Sequence, residues 1–258
     1  MSIDLEQREH LLLMGVRRPQ KMNALTREMY HALGRAMHRL EHDRDLRVGV
    51  IWAEGPHFTS GVDLSDWTDV FASGSPFPAA DGEIDPFALS GPRLSKPVVI
   101  AVQGRCYTWG WELLLNTDLR VAASDTRFAM LEVRRGIYAC GGATLRLPME
   151  IGWANAQRYL LTGDELGADD AYRLGLVQQL CAPGEQLDAA LALARRVAKA
   201  APLGVQGSLR SSRTRMLEGE AAAVAPMFRG MAEVMRSEDA AEGVRSFVER
   251  REAVFRGR

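Results

Sequence analysis

Lysine is nearly missing from this chain. Of its 32 basic residues only Lys21, Lys96 and Lys199 are lysines, and the rest are arginines. Arginine suits bidentate contacts with phosphate or carboxylate, although most such side chains simply face water. Charge of one sign is also missing. The formal net charge is −1, which leaves no electrostatic case for nucleic acid or an anionic membrane surface. Cysteine is scarce: Cys106, Cys140 and Cys181 stand far apart, odd in number and without a C-x-x-C pair. That excludes a zinc knuckle or a redox pair and fits a reducing compartment. The first ten residues are polar, so no secretory leader is expected, and no apolar run approaches a membrane span. These absences predict a soluble, cytoplasmic protein. G-x-S-x-G, H-E-x-x-H, the Walker loop and G-x-G-x-x-G are missing too. Serine hydrolase, zincin, P-loop and dinucleotide-binding readings thereby lose their signatures.

What is present is an ordinary globular balance over 258 residues, 47% hydrophobic and 25% charged, enough for a sizeable core. Residues 8–16 read as a strand. Thr26 reads as the N-cap of a helix that carries Met29, Leu33, Met37 and Leu40 at helical spacing to about residue 43. Buried strands are predicted at 48–53, 97–102 and 118–123, with a shorter one at 127–131. Residues 72–92 are rich in turn formers and lack an apolar period, which predicts a long loop, either a lid or a disordered segment. From residue 185 the pattern becomes wholly helical, with helices expected at about 185–200, 202–217, 219–235 and 237–250. The βα alternation before it predicts an α/β core over 1–184, followed by a helical region over 185–258.

The chain is organised around Gly104-Arg105-Cys106-Tyr107-Thr108-Trp109-Gly110-Trp111-Glu112-Leu113. Here a buried strand passes through two glycines into an apolar helix start that carries a carboxylate. A buried Glu needs a reason. A second carboxylate, Glu132, ends the apolar segment Met130-Leu131. Each taken singly is more often a structural ion-pair partner. Brought together in an apolar cleft, the two would have their pKa values pushed apart and supply an acid and a base at one pH. Gly61-Val62 and Gly110 each follow an apolar strand and precede a helix, and two backbone N–H groups converging there would form an oxyanion hole. Tight turns alone are the plainer explanation of either. Cys140, ahead of a helix, is a remote candidate for a stabilised thiolate. His38 and His42, four apart on the first helix, lack a third ligand and read as a solvated face, so no metal site is predicted.

In order and spacing, these segments together resemble the enoyl-CoA hydratase/isomerase (crotonase) superfamily, from about residue 8 onward. The segments are Arg18-Pro19-Gln20-Lys21-Met22-Asn23-Ala24-Leu25, Phe58-Thr59-Ser60-Gly61-Val62-Asp63-Leu64, the central stretch with Asp118-Leu119-Arg120, and Leu131-Glu132-Val133 with Gly136-Ile137. Gly141-Gly142-Ala143-Thr144-Leu145-Arg146-Leu147-Pro148, Leu161-Thr162-Gly163 and Gly175-Leu176-Val177 complete the pattern. The resemblance implies a spiral of ββα turns and a C-terminal helical region that forms trimers, often paired into hexamers. It implies a coenzyme A thioester as substrate, with no separate cofactor. By position, the N–H groups of Val62 and Gly110 would hold the thioester oxygen, and Glu112 and Glu132 would be the catalytic carboxylates. Ser60, Gly61, Asp63, Trp109, Tyr138 and Gly141 would contact the substrate. The implied reaction is addition of water to a 2-enoyl-CoA. Double-bond isomerisation, thioester hydrolysis and a non-catalytic CoA-binding oligomer are the alternatives. Thr108 and Trp109 stand where the family has small residues, Leu131 where it has Pro, and Tyr138-Ala139-Cys140 replaces a turn of Ile/Val, Pro and Gly. These departures imply a reshaped acyl pocket.

Overall fold

The computed structural model describes residues 2–75, 77 and 80–258. Met1 lies outside the described residues, as do Pro76, Pro78 and Ala79 of the loop read at 72–92. The chain opens with a hairpin, β1 (Ser2–Arg8) antiparallel to β2 (Leu11–Arg17). The sequence predicts one strand here, over 8–16. β1 escapes the pattern because Asp4, Glu6 and Gln7 are exposed on an edge strand, and an edge carries no continuous apolar run. α1 (Arg27–His42) follows, and the Thr26 side chain accepts from the Met29 N–H at 3.3 Å, the expected cap. Then come β3 (Val48–Ala53), α2 (Leu64–Ala72), β4 (Val98–Val102), β5 (Arg105–Tyr107), α3 (Trp109–Leu114), β6 (Leu119–Ala123) and β7 (Arg127–Ala129). A 3-10 turn at Glu132–Arg135 leads to α4 (Ala143–Ile151), α5 (Trp153–Thr162), β8 (Leu166–Gly167), α6 (Ala168–Arg173) and β9 (Gln179–Cys181). Four helices end the chain: α7 (Gln186–Lys199), α8 (Pro202–Glu218), α9 (Glu220–Val234) and α10 (Glu238–Glu249).

Six strands form one sheet in the order β1-β2-β3-β4-β6-β9, parallel except for the opening hairpin. β5, β7 and β8 form a second, small sheet, with β5 and β7 parallel. This is the α/β core followed by helices that the sequence implied. The inner strands β2, β3 and β4 are buried on both faces, which is why they read as nearly unbroken apolar runs. Leu12, Met14, Ile51, Ile100 and Val102 pack with Met29, Leu33 and Met37 of α1 in the larger core cluster. Leu11, Leu13, Val48, Val50, Val99, Ala101 and Val121 face the other way, onto Ala190, Leu191, Ala194 and Ala198 of α7. The first C-terminal helix is therefore part of the core. Arg47 ties it down further by donating to the Ala198 carbonyl at 2.9 Å.

Within the loop read at 72–92, residues 84–90 are ordered and packed onto the core. Ile84, Asp85 and Phe87 are buried. The Asp85 carboxylate accepts from the N–H groups of Phe87, Leu89 and Ser90 and from the Tyr30 hydroxyl. A buried aspartate that gathers its own loop's N–H groups replaces regular secondary structure as the organiser of the segment. No apolar period was needed, so none was visible.

Candidate active site

Glu112 and Glu132 lie twenty residues apart in sequence on different elements, and the small sheet is what unites them. β5 and β7 run parallel, with Cys106 opposite Phe128 and Tyr107 opposite Ala129. The chain leaves β5 for α3 and reaches Glu112. It leaves β7 on the same side and reaches Glu132 in the 3-10 turn. Both side chains are buried, Glu112 completely and Glu132 to 9% exposure.

The Glu112 Oε1 accepts the Ala143 N–H at the start of α4, at 3.0 Å. Its Oε2 has no hydrogen-bond partner among the described residues, and neither does the Glu132 Oε2. Burial pushes the Glu112 carboxyl up to about 8, opposed by the Ala143 N–H and reinforced by Glu132. Burial likewise pushes Glu132 up to about 7, opposed by its own backbone and by Arg135. The two carboxyls titrate as a pair. At neutral pH such a pair holds about one proton, and so offers one acid and one base.

Gly141 makes room for this carboxylate. A Cβ there would stand 2.5 Å from the Glu112 Oε2 and 2.9 Å from its Cδ. Gly141→Ala is therefore expected to destabilise the fold by about 1–3 kcal/mol, as over-packing does. Gly207→Ala in α8, where a Cβ would meet nothing nearer than 4.0 Å, is the control. Thermal unfolding of both variants checks this, and a Gly141→Ala midpoint equal to that of the control would contradict it.

The two N–H groups singled out by sequence sit on interlocked segments, Val62 on the 58–62 loop and Gly110 at the start of α3. The Thr59 N–H donates to the Arg105 carbonyl at 2.9 Å, and the Tyr107 N–H to the Thr59 carbonyl at 3.1 Å. This laces the 58–62 loop along β5. Gly61, at φ +112°, passes against the Thr108 hydroxyl, and Gly110 passes against the Thr59 methyl, so neither position tolerates a side chain. Thr108 itself has φ +49°, a strained turn that drops the chain from β5 into α3. Neither the Val62 nor the Gly110 N–H donates a backbone hydrogen bond among the described residues. α3 has only six residues, so individual N–H groups, not a long helix dipole, are what this site offers.

The opening motif supports the same loop. Asn23, in the left-handed region, accepts the Arg18 N–H at 2.7 Å and donates to the Glu54 and His57 carbonyls. Arg18 bridges the Ala24 carbonyl and the Asp63 carboxylate, each at 2.9 Å. Hydrogen bonds from the Ser65 hydroxyl and from Arg18 hold the Asp63 carboxyl below the ordinary range. Asp63 thus has a structural occupation beside the cavity.

Ser60, Val62, Asp63, Trp109, Glu132 and Tyr138 line one cavity of about 640 Å³. Glu112, fully buried, stands behind its wall, and Gly141 faces Glu112. Lys21, Met22, Ala24, Leu64, Phe71, Thr108, Arg135, Ile137 and Cys140 also line the cavity. Most of these fall inside the quoted motifs and were readable as neighbours of the assigned residues. Phe71, on α2, had no sequence signal.

The two tryptophans around Gly110 separate by side. Trp109 lines the cavity and packs on Trp67, Phe77 and Phe87, with ring centroids 4.5, 4.8 and 4.7 Å away. Trp111 points away, onto Phe128 of β7 and Tyr159 of α5, at 5.5 and 5.9 Å. One shapes the cavity, and the other fastens α3 to the small sheet.

Cys140 does not gain a stabilised thiolate. Although Cys140 is exposed on the cavity wall, partial desolvation there, with Glu112 and Glu132 both nearby, pushes its thiol up to about 12. It stays protonated at neutral pH and is a poor nucleophile. His38 and His42 stack on each other at 4.0 Å, and no group of three metal-ligating side chains forms among the described residues.

Comparison with known proteins places this architecture. A model of the enoyl-CoA hydratase/isomerase family matches residues 6–258. An enoyl-CoA hydratase of Mycobacterium tuberculosis is 36% identical over 261 residues, spanning 98% of this chain and 96% of that protein. A carnitinyl-CoA dehydratase of Salmonella agona is 32% identical over 266 residues, spanning 100% and 99%. Among solved structures, a probable enoyl-CoA hydratase/isomerase from Mycobacterium abscessus superposes with a TM-score of 0.96 at 41% identity, covering 99% of this chain and 98% of that one. An enoyl-CoA hydratase from Mycobacterium tuberculosis superposes with a TM-score of 0.90 at 35% identity, covering 99% of each chain.

Proposed function

Since the chain belongs to the enoyl-CoA hydratase/isomerase family, we propose that it adds water across the 2,3-double bond of an enoyl-CoA thioester. The observation that carries the reading is the buried pair of Glu112 and Glu132, both pushed up by burial, beside a cavity lined by Val62, whose N–H is unengaged among the described residues, and by Trp109, the neighbour of Gly110.

In this reading the thioester oxygen accepts the N–H groups of Val62 and Gly110. Attack at C3 moves charge onto that oxygen, where fixed donors stabilise it without reorganising. The reactive form is the one with Glu112 ionised and Glu132 protonated, the less populated of the two because burial pushes Glu112 up to about 8 and Glu132 only to about 7; in it Glu112 orients the water and takes its proton. Glu132, in its protonated form, delivers a proton to C2. The roles exchange in the reverse direction, which is dehydration of a 3-hydroxyacyl thioester. Ser60, Asp63 and Tyr138 flank the acyl and pantetheine path along the cavity, and Trp109 closes one side of it. With Trp109 backed by other rings, that side has little room to yield.

Incubation with crotonyl-CoA, followed by mass spectrometry, tests the reaction. The expected product carries the mass of one added water. Release of free coenzyme A would replace the reading with thioester hydrolysis. An unchanged mass with a moved double bond, seen with 3-enoyl thioesters, would replace it with isomerisation. Tight binding with no conversion of any enoyl thioester would make the chain a CoA-binding protein.

A further inference from the structure

Gly141 and Gly142 form a thin partition with the buried Glu112 carboxylate on one side and the half-buried Arg146 guanidinium on the other. A Cβ on Gly141 would strike the Glu112 carboxylate, and one on Gly142 would stand 2.8 Å from the Arg146 Nη1 and 3.2 Å from its Cζ. The guanidinium is tethered from its other end. Its Nη2 donates to the Phe87 carbonyl at 2.6 Å and the Ala88 carbonyl at 3.2 Å. Its Nη1 is buried and has no hydrogen-bond partner among the described residues, and the same holds for the Glu112 Oε2 across the partition. Arg146 lies three residues beyond Ala143 on α4, so the two share a helix face, and Ala143 is the residue whose N–H holds Glu112. Phe87, whose carbonyl Arg146 holds, packs on Trp109 in the cavity wall.

We propose that Arg146 is a positioning residue for Glu112: it pins the 85–89 segment to the first turn of α4 and holds a counter-charge across the Gly141–Gly142 turn from the carboxylate. The inference rests on the hydratase reading for its kinetic consequence, but not for its electrostatic one. Three titratable side chains face Glu112 among the described residues. Glu132 comes from the 3-10 turn, Cys140 from the turn before α4, and Arg146 from α4; of these only Arg146 favours the charged carboxylate. Arg146 in turn faces Arg93, Asp85 and Arg120, and burial beside Arg93 lowers its own ordinary value to about 10, leaving it charged at neutral pH. Without the guanidinium, backbone N–H groups alone would oppose burial and the like charge of Glu132, and the Glu112 proton would be lost at higher pH.

Two measurements test this. Infrared titration of the protonated carboxyl band, assigned by its loss in Glu112→Gln, follows Glu112 directly and needs no turnover. The pH dependence of kcat/KM for crotonyl-CoA follows it through the reaction. In both, the midpoint is expected to rise in the order wild type, Arg146→Lys, Arg146→Met, with the last about one pH unit above wild type. Lysine keeps a charge but cannot reach from the Phe87 carbonyl to Gly142 as the planar fork does, so it rescues in part. KM should change less than about threefold, since Arg146 lies outside the cavity lining. Midpoints unmoved in both variants, with only a lower melting temperature and a uniformly lower kcat, would reduce Arg146 to a packing residue and overturn the proposal. If Arg146→Met fails to fold, Arg146→Lys decides: a raised midpoint supports the proposal and an unmoved one sinks it. If crotonyl-CoA is not hydrated at all, the hydratase reading fails, while the infrared titration still decides the role of Arg146.

Discussion

Glu112→Gln and Glu132→Gln each lower the hydration of crotonyl-CoA by at least about 10²-fold, the usual worth of a positioned acid or base. Glutamine keeps the size of each side chain, and the amide oxygen at position 112 can still accept the Ala143 N–H. The variants therefore remove proton transfer and leave the frame standing. Because the two carboxyls act on one transition state, the double variant should fall much less than the product of the single losses. The thioester should still bind, since the backbone N–H groups of Val62 and Gly110 are untouched. Steady-state kinetics with crotonyl-CoA, alongside calorimetric binding of the saturated butyryl-CoA, separates the two contributions. Near-normal turnover in both single variants would remove the acid–base assignment. Lost binding with unchanged kcat would turn the carboxyls into binding groups.

The same substitution should make the protein more stable, and increasingly so as pH rises. An unfolded glutamate titrates near 4.5, whereas Glu112 in the folded chain titrates at about 8. Between those values the folded state binds more protons than the unfolded one. Its stability therefore falls as pH rises through that window. Glutamine has no such dependence. Denaturant unfolding at pH 5, 7 and 9 should show Glu112→Gln gaining on the wild type by a margin that widens to the order of 3 kcal/mol above pH 8. A margin that is flat, or that narrows with pH, would mean the carboxyl is not held neutral by its site. Activity and stability thus pull in opposite directions at one residue.

The elements themselves were largely legible. α1 was readable from the Thr26 cap and the spacing of Met29, Leu33, Met37 and Leu40, because a cap and a stripe are local signals. The inner strands β2, β3 and β4 were readable because burial on both faces leaves almost only apolar residues, whereas the edge strand β1 was not. The C-terminal helices fell within a few residues of expectation. The pairing of Glu112 with Glu132 was not visible, because it depends on the parallel register of β5 and β7, two three-residue strands with no periodicity to read. The order of residues 84–90 was hidden for a related reason: it depends on one buried carboxylate, Asp85, not on a pattern. The divergent aims of Trp109 and Trp111 follow from helical geometry only once the start of α3 is known to the residue.

The second face of the large sheet has a consequence for how the chain is made. Every residue assigned to the site, from Ser60 to Gly141, emerges from the ribosome before α7 begins at Gln186. Until α7 arrives, nothing else in that core cluster covers Leu11, Leu13, Val48, Val50, Val99, Ala101 and Val121. A nascent chain stalled or truncated before α7 would carry the whole site and, on its back, a bare apolar sheet. Such a surface is what chaperones retain and what aggregates grow from. In synthesis, as opposed to in the finished fold, α7 acts as the closing step that shields the site-bearing half from that fate.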